Sequence, residues 1–377
     1  MKSVMISQIQ KGRWTMRLIS GFMKAGMALL LLLGLGAGCS WTHKATPVDP
    51  EATQSIDVTG DLLVASDYQV FSIGSKSKHA KEVLQTVQPI SSISYTTDHA
   101  VITVFNPSDP KAFRGFYLRD RNGDSYVQYA TPQMAPKFSY VQGDLMFLAS
   151  AEKTMQKDGE YSKAGIYQLK EHKWVKEWQV PGGIEDVIGS GKDVYFVTSN
   201  NTSTSSNIYK VDLLTGEWGP MIQAARRYPL DQTALDTNGD LYLMISQRNK
   251  SEWSNKIYRW NPQQVPYELA NNFVSNTRPF SYTMKALQGK LLIARYDRSG
   301  NNPDLDKPLS LLDLKSRKQV HLAWEHQPVA LDRTADEFVA LGEDGALAFL
   351  TPNATEKPER ELIIPELASG RWISVKK

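Results

Sequence analysis

The side chain with the most distinctive chemical setting in this sequence is the thiol of Cys39, the only cysteine among 377 residues. The first 24 residues carry five cations and no carboxylate, and residues 25–35 are almost wholly apolar. Three small residues, 36–38, separate the apolar run from Cys39. This order of a positive, an apolar and a small-residue zone is typical of a secretory signal peptide. Because the apolar run has about half of the roughly 20 residues that a membrane-spanning helix needs, we interpret residues 1–38 as a signal peptide and not as a permanent transmembrane anchor.

The segment Leu35-Gly36-Ala37-Gly38-Cys39 resembles the lipobox of bacterial lipoproteins. The resemblance implies that a diacylglyceryl group is attached to the Cys39 sulfur, that cleavage follows Gly38, and that acyl chains such as palmitate anchor the protein at an extracytoplasmic membrane surface. Gly36 departs from the pattern, because the family more often has a larger residue there. In a host with two membranes, Ser40 resembles the default for sorting to the outer membrane. The alternative is an ordinary secretory signal whose cysteine falls there by chance.

The charge balance argues against a partner that is recognised mainly through a large surface of opposite charge. The sequence has 43 Lys and Arg against 40 Asp and Glu, a net charge of +3. Loss of the five leader cations leaves 38 against 40, or −2. We therefore expect neither nucleic acid nor an anionic lipid surface as a partner. Residues 39–54, which contain Pro47 and Pro50, are interpreted as the lipidated cysteine and a flexible tether, followed by a single domain over residues 55–377.

No motif in the sequence predicts a metal, a cofactor or an activated nucleophile. The six histidines include no pair at i, i+2 or i, i+4 spacing, and no His-Glu-x-x-His motif or cysteine pair occurs, so a zinc site has almost no support. Gly-x-Ser-x-Gly, Gly-x-Gly-x-x-Gly and Walker motifs are also absent. The oxygen-rich stretch from Asp297 to Asp306 lacks the order and the closing Glu of an EF-hand, so a plain acidic loop is favoured over a calcium site.

The β-strands that must position any functional site recur at a regular spacing along the chain. From residue 55 onward no stretch has a convincing helical period, and a short β-run follows a polar turn seven times. The runs are marked by Asp61, Asp98, Asp144, Asp193, Asp240, Lys290 and Glu337, at steps of 37, 46, 49, 47, 50 and 47 residues. Such a period is typical of β-propeller blades, since a four-stranded sheet buries both faces only when it is stacked between neighbours. The sequence predicts an all-β propeller with seven blades; six or eight are the alternatives.

Residues 208–218 resemble propeller repeats of the kelch and related kinds, although Gly182-Gly183 is the only kelch-like glycine pair and no named repeat family is assigned. The competing architecture is a pair of β-sandwiches, which gives no reason for so even a repeat. Residues 55–58 and 371–375 both have strand character. We expect strands from both ends of the chain to complete one blade, which closes the ring and leaves no long free edge.

The links between strands indicate which face carries a site. Tight turns such as Thr237–Asp240 join the first and second strands of a unit, whereas long polar links join the second and third strands in five units. The five long links are Asn106–Ala112, Ala151–Gly165, Ser199–Asn207, Gln247–Asn255 and Tyr296–Lys307. In a propeller these links emerge on the same face as the links between blades. Long loops on a rigid scaffold are common recognition sites, so we expect this face to bind a partner.

The candidate binding residues occur in these two kinds of link. They are Trp253, Arg226, Arg227, Arg278 and Tyr296. An exposed Trp among polar residues suits an anchor for a protein or glycan, although Trp253 could equally fold back over a blade end. Arg226 and Arg227 could also be no more than a solvated pair. His326 occurs in a further link between blades.

Binding is favoured over catalysis. In the favoured hypothesis, a lipid-anchored propeller presents its long-link face to a protein or polysaccharide. The alternative is a propeller enzyme, of the lyase, lactonase, glycosidase or quinone-dependent kind, which needs charged groups from several blades at the axial channel. The inner-strand regions 91–97, 137–141 and 186–189 contain only two charged residues, Lys137 and Asp186. A third hypothesis is an accessory protein for envelope assembly.

Overall fold

The computed structural model describes residues 60–377, apart from 75, 110, 124, 201–202, 224–229, 237–238, 250–251, 262–263, 276–280 and 297–306. Every regular element in these residues is a β-strand, and the strands form seven four-stranded sheets with antiparallel neighbours. This part of the chain contains no helix that could cross a membrane. The fold is a seven-bladed β-propeller, as the repeat predicted.

Each blade is numbered here in ring order, and its strands are given from the axis outward. Blade 1 consists of β28 (Trp372–Val375), β1 (Leu62–Ala65), β2 (Gln69–Ile73) and β3 (Lys81–Gln85). Blade 2 consists of β4 (Ile90–Tyr95), β5 (His99–Val104), β6 (Gly115–Asp120) and β7 (Val127–Ala130). Blade 3 consists of β8 (Pro136–Gln142), β9 (Leu145–Gln156), β10 (Gly159–Gln168) and β11 (Lys173–Pro181). Blade 4 consists of β12 (Gly183–Ser190), β13 (Asp193–Asn200), β14 (Ser203–Asp212) and β15 (Trp218–Gln223).

The other three blades follow the same order. Blade 5 consists of β16 (Leu230–Leu235), β17 (Leu241–Asn249), β18 (Glu252–Asn261) and β19 (Gln264–Ser275). Blade 6 consists of β20 (Ser281–Leu287), β21 (Lys290–Tyr296), β22 (Leu309–Asp313) and β23 (Gln319–Leu322). Blade 7 consists of β24 (Pro328–Arg333), β25 (Phe338–Gly342), β26 (Asp344–Leu350) and β27 (Arg360–Ala368).

The first strands of neighbouring blades contact one another around the ring, from β28 to β4, β8, β12, β16, β20, β24 and back to β28. They therefore line the axial lumen. Because neighbouring strands are antiparallel, the links between first and second strands and between third and fourth strands emerge on one face, named the turn face. The links between second and third strands and between blades emerge on the other, named the hairpin face.

The ring is closed by the C-terminal strand. Strand β28 pairs with β1 in antiparallel register, with Leu62 opposite Val375 and Ala65 opposite Trp372. The main chain continues the pairing, since the Lys376 amide donates to the Asp61 carbonyl at 2.9 Å. The predicted strand at 371–375 is thus confirmed, and residues 55–58 lie outside the described part of the chain.

The repeated apolar run is the second strand of each blade, and it is buried on both faces. All six residues of β5 are buried, which explains why the run has no polar alternation. Between blades 3 and 4, the rings of Phe147 and Phe196 stack with centroids 5.5 Å apart. Each such side chain contributes about 1.5–3 kcal/mol when fully buried. Packing between blades therefore stabilises the ring without any disulfide.

Candidate functional site: the hairpin face and the channel mouth

Three of the five long links predicted as loops are paired strands, and this part of the prediction is wrong. Residues 151–165 lie in β9 and β10, with Gln156 opposite Gly159. Residues 199–207 and 247–255 likewise form hairpins, with Asn200 opposite Ser203 and Asn249 opposite Glu252. Polar side chains suit a strand that is solvated on both faces, so polarity alone did not distinguish these hairpins from loops. Residues 106–112 lie between strands as predicted, and residues 297–306 lie outside the described part.

Within the described residues, blades 3 and 5 carry the long strand extensions of the hairpin face. In blade 3 the first strand begins on the hairpin face at Pro136, opposite Ser150. Strand β9 continues beyond that point for six more residues, to Gln156. In blade 5 the first strand begins on the hairpin face at Leu230, opposite Ile245, and β17 continues beyond that point to Asn249. At about 3.3 Å per residue, the blade 3 extension is roughly 20 Å long. Residues 151–163 and 246–255 are named the raised hairpins.

Blade 4 lies between these two blades and has no comparable extension. Its first strand reaches Ser199, and its hairpin turns after the next residue, Asn200. Among the described residues, which leave out the blade 4 turn at 201–202 and the link at 224–229, the raised hairpins therefore flank a lower blade, and this difference in height forms a notch above blade 4. The notch opens toward the lumen, because the first strand of blade 4 lines it.

A β-bulge recurs in the first strand of five blades, at the end that faces this notch. The bulged residues are Ser91, Lys137, Glu185, Asp231 and Val329. A bulge leaves one residue outside the ladder and redirects its side chain, and bulges are frequent at barrel rims and beside sites. In blades 2, 3, 4 and 7, where the bulged side chain is described, the bulge therefore places one extra side chain at the mouth of the lumen.

The bulged residues of blades 3 and 4 form a charged cluster with the blade 3 hairpin, named the mouth cluster. Glu185 has the Nζ atoms of Lys137 and Lys153 at 3.8 and 3.7 Å. The Ser199 hydroxyl donates to Glu185 Oε1 at 2.7 Å. Lys153 also lies 4.0 Å from Glu160. The cluster is partly exposed, so these groups are available to a ligand in the notch.

The two glycines noted in the sequence hold the blade 3 hairpin against blade 4. The Gly182 amide donates to the Glu160 carbonyl at 2.7 Å, and Gly182 has a φ of +86°. A Cβ at Gly183 would lie 2.0 Å from Lys153 Cε. The pair therefore allows Lys153 to cross the backbone and reach Glu185, a role unrelated to a kelch signature.

The lumen is joined from blade to blade by polar side chains. Ser92 contacts Ser139 at 3.0 Å between blades 2 and 3, and Thr233 of blade 5 donates to Asp186 of blade 4 at 2.5 Å. At the closing seam, the Val375 amide donates to Asp332 at 2.8 Å. These bonds satisfy polar groups that would be costly to bury alone.

The lumen carries more charge than the sequence analysis expected. The three regions considered hold Lys137 and Asp186 as stated, but β12 begins before Asp186 and adds Glu185. Strands β20 and β24 add a lysine, an aspartate and an arginine, namely Lys285, Asp332 and Arg333. These three residues could have been found from the sequence, because β20 and β24 lie directly before the apolar runs that mark blades 6 and 7.

Burial changes the pKa values of the acidic and basic groups in the lumen in opposite directions. It raises the pKa of the Asp186 carboxyl, although hydrogen bonds from Thr233 and Val187 oppose the change. It lowers the pKa of the Lys285 ammonium. Burial also acts to raise the pKa of Asp332, but the nearby Lys377 and Lys285 and the Val375 amide outweigh it, so this pKa is lowered.

Of the predicted binding residues, only Trp253 and Tyr296 lie in the described part of the chain, and they belong to different blades. Trp253 lies in strand β18 opposite Arg248 and Ser275, not in a loop as predicted, and its side chain is outside the described part. Tyr296 is the last residue of β21, opposite Ser281. Cys39, Arg226, Arg227 and Arg278 also lie outside the described part.

Two histidines are held between carboxylates, which the sequence did not indicate. On the hairpin face, His326 contacts Asp344 at 2.5 Å and Glu361 at 2.7 Å through its two ring nitrogens. On the turn face, His99 contacts Asp120 at 2.9 Å and Asp144 at 3.1 Å. In each case the two ring nitrogens have different carboxylate partners. His99 joins blade 2 to Asp144 of blade 3, and His326 fixes the link from blade 6 to two strands of blade 7.

A cleft among the described residues lies on the turn face. It has a volume of about 440 Å³ and lies where blade 7 meets blade 1, beside Glu337, Phe349 and Lys376. The Arg360 guanidinium lies 3.4 Å from the Phe349 ring centroid and contacts Glu337 at 3.5 Å. Because its aromatic and acidic groups are already engaged, this cleft is a weaker candidate than the notch.

Comparison with known proteins supports the fold alone. No family model matches the chain, and no curated protein matches it. The fold resembles that of a functionally unknown protein from Desulfotomaculum acetoxidans, with a TM-score of 0.55 and 8% identity over 84% of this chain and 99% of that one. It also resembles the computationally designed Ika8 protein, with a TM-score of 0.52 and 9% identity over 86% of this chain and 88% of that one. The tricorn protease gives a TM-score of 0.53 and 12% identity over 86% of this chain but only 35% of that protein.

Proposed function

We propose that the protein is an extracytoplasmic lipoprotein, anchored through Cys39, whose hairpin face binds a protein or polysaccharide partner. The observation that carries the proposal is the pair of raised hairpins on either side of blade 4. These hairpins extend beyond the first strand that they pair with, so most of their length lies outside the packing of the blades; the blade 3 hairpin contacts blade 4 through residues that include Lys153 and Glu160. An element that the ring does not need for stability is best explained by recognition.

The composition of the notch suits a polar partner with a small apolar contact. The blade 3 hairpin carries Met155, which is 68% exposed, above the charged mouth cluster. Binding surfaces commonly combine a few apolar anchors with a polar rim. A protein loop or a polysaccharide chain would both satisfy this arrangement.

Shortening the blade 3 hairpin tests this proposal. Replacing residues 152–161 by Asn-Gly should leave the melting temperature within about 2–4 °C, the shift that roughly 1 kcal/mol causes in a domain of this size. The same change should weaken retention of the partner that co-purifies with the protein, or sedimentation with envelope polysaccharide. The control is Leu214→Ser, which alters a 72% exposed residue on the turn face. Unfolding of the shortened protein, or equal binding by both variants, contradicts the proposal.

The anchor is tested separately by Cys39→Ala. Since two or three acyl chains anchor firmly where one is marginal, this variant should leave the membrane fraction, and the wild-type protein should carry the added mass of the lipid. A wild-type mature protein without that mass excludes the lipoprotein interpretation and leaves the binding proposal intact.

An enzyme with its site in the lumen is the second candidate, and one observation favours it. Asp186, Lys285 and Asp332 come from three different blades and share electrostatic interactions. However, Asp186 accepts hydrogen bonds from Thr233 and Val187, and Asp332 accepts one from Val375. Both carboxylates are therefore engaged in joining blades, which favours binding over catalysis.

A further inference from the structure

A second cleft on the turn face lies between blades 1 and 2 and has a volume of about 110 Å³. It is formed by the link from β4 to β5, by the end of β6 with the residue that follows, and by the residue after β28. Its wall includes Tyr95 and three cations, Arg119, Arg121 and Lys376. It adjoins the 440 Å³ cleft, since Thr97 and Lys376 line both. We name this smaller cavity the basic cleft.

Main-chain contacts hold the segments of the basic cleft together. The Thr97 amide and hydroxyl donate to the Lys377 main-chain oxygen at 2.6 and 2.8 Å. The Lys377 amide donates to the Tyr95 carbonyl at 3.2 Å, and the Lys376 amide donates to the Asp61 carbonyl at 2.9 Å. The chain after β28 is therefore bonded to both blade 1 and blade 2. A site whose segments are already fixed loses less conformational freedom when a ligand binds.

The three cations of the basic cleft have donors that the protein does not use. Arg119 Nε donates to a main-chain carbonyl of the following turn at 3.1 Å, and its two terminal nitrogens have no acceptor in the described part of the chain. Arg121 Nη1 lies 3.6 Å from Asp98 Oδ1, beyond the usual length of a hydrogen bond. Lys376 Nζ lies 5.7 Å from the Tyr95 ring centroid and has no ion-pair partner among the described residues. An anion in the cleft would gain these donors without breaking a close contact.

Two carboxylates also line the basic cleft, and each has a neighbour of its own. Asp120 Oδ1 lies 2.9 Å from His99 Nδ1, and Asp98 faces Arg121. His99 is buried, and its ring is held from the other side by its contact with blade 3. The cations outnumber the carboxylates along the wall, so the cleft favours an anionic ligand over a cationic one.

We propose that the basic cleft binds the phosphate group of a small molecule, with Arg119, Arg121 and Lys376 as its ligands. A phosphate has three terminal oxygens, so it can accept hydrogen bonds from all three side chains, whereas a carboxylate has only two oxygens. Arginine offers a planar pair of donors to such an oxyanion, and lysine offers a compact charge. The adjoining 440 Å³ cleft gives room for the organic part of a phosphate ester. The site lies on the face opposite the raised hairpins and is independent of the partner proposed for them.

Titration calorimetry at constant ionic strength tests the site with two probes, inorganic phosphate and glycerol 3-phosphate. We expect at least one of them to bind the purified protein with a Kd below about 1 mM, and succinate to bind at least about threefold more weakly. Lys376→Met should weaken phosphate binding at least about tenfold, because a charge-assisted hydrogen bond is lost, and Lys376→Arg should stay within about threefold. The matched control is Lys315→Met, which removes the same charge from an exposed lysine on the turn face of blade 6. The probe that binds more tightly identifies the ligand as a free phosphate or a phosphate ester.

Three results overturn the proposal. The first is the absence of binding by either probe, and the second is an equal effect of Lys376→Met and Lys315→Met, which would indicate general electrostatics. The third is binding of succinate as tight as that of phosphate. If Lys376→Met does not fold, as judged by circular dichroism, Arg121→Gln replaces it, because the Arg121 side chain is 66% exposed. Failure here leaves the proposed role of the hairpin face untouched, since no residue of the notch enters the experiment.

Discussion

At the scale of single residues, two equivalent turns show how the repeat is built. Asp212 accepts the Leu214 and Thr215 amides at 2.9 and 3.1 Å, and Asp313 accepts the Lys315 amide at 3.0 Å in the same position of blade 6. Lysine neighbours, Lys192 and Lys290, bind the second oxygen of each aspartate. These contacts lower the pKa of both carboxyls, with the lysine hydrogen bond as the largest cause.

The two turns differ at the residue that adopts a left-handed conformation. It is Gly216 in blade 4, with a φ of +65°, and Arg317 in blade 6, with a φ of +60°. A left-handed conformation costs a non-glycine residue about 1–2 kcal/mol, whereas glycine adds an unfolded-state entropy cost of about 0.5–1 kcal/mol. Arg317→Gly should therefore raise the free energy of unfolding by about 0.5–1 kcal/mol.

Urea unfolding of the two reciprocal variants checks this prediction. Gly216→Ala should lower the free energy of unfolding by about 1 kcal/mol, because alanine meets the same strain that Arg317 now bears. A destabilised Arg317→Gly variant would show that the arginine side chain contributes more than its backbone costs.

At the scale of elements, the second strands were predictable from sequence and the hairpins were not. The runs that begin near Asp98 and Asp144 are continuous and apolar because both of their faces are buried. The blade 3 hairpin from Ala151 to Lys163 has no such signal, since it lies beyond the first strand and is largely solvated. Its strand structure follows from pairing across a two-residue turn, which polar composition does not reveal.

The bulges of the first strands explain why the mouth cluster was not predicted from the sequence. A bulge shifts the alternation of side chains by one residue, so a regular period of two misplaces Lys137 and Glu185. The contact of Glu185 with Lys153 also joins positions in different blades, and no local pattern encodes such a pair.

The closing strand offers a direct test of element packing. Ile373 in β28 is 8% exposed and belongs to the cluster between blades 7 and 1, whereas Ile363 in β27 is 62% exposed. Ile373→Ala should cost about 2–5 kcal/mol of unfolding free energy, and Ile363→Ala should cost within about 0.5 kcal/mol. Urea unfolding distinguishes the two variants, and equal losses would mean that the seam is not packed as described.

At the scale of the whole molecule, the number and order of the blades follow from the even spacing of seven apolar runs. The joining of β28 to β1 was anticipated from the strand character of residues 371–375. The charge of the lumen was missed because only three inner-strand regions were considered, although first strands such as β20 and β24 directly precede the apolar runs of their blades. Asp186, Lys285 and Asp332 are far apart in sequence, and the first strands that carry them are arranged around one lumen only when the ring closes.

The central claim is that the hairpin face is where a partner binds, and site-specific photocrosslinking in living cells tests it most directly. A photoreactive amino acid replaces Met155 on the raised hairpin of blade 3 or Leu214 on the turn face; these residues are 68% and 72% exposed. We expect the probe at position 155 to give a discrete crosslinked species and the probe at position 214 to give none. Crosslinking at position 214 with none at position 155 would contradict the proposed function and place the partner on the opposite face.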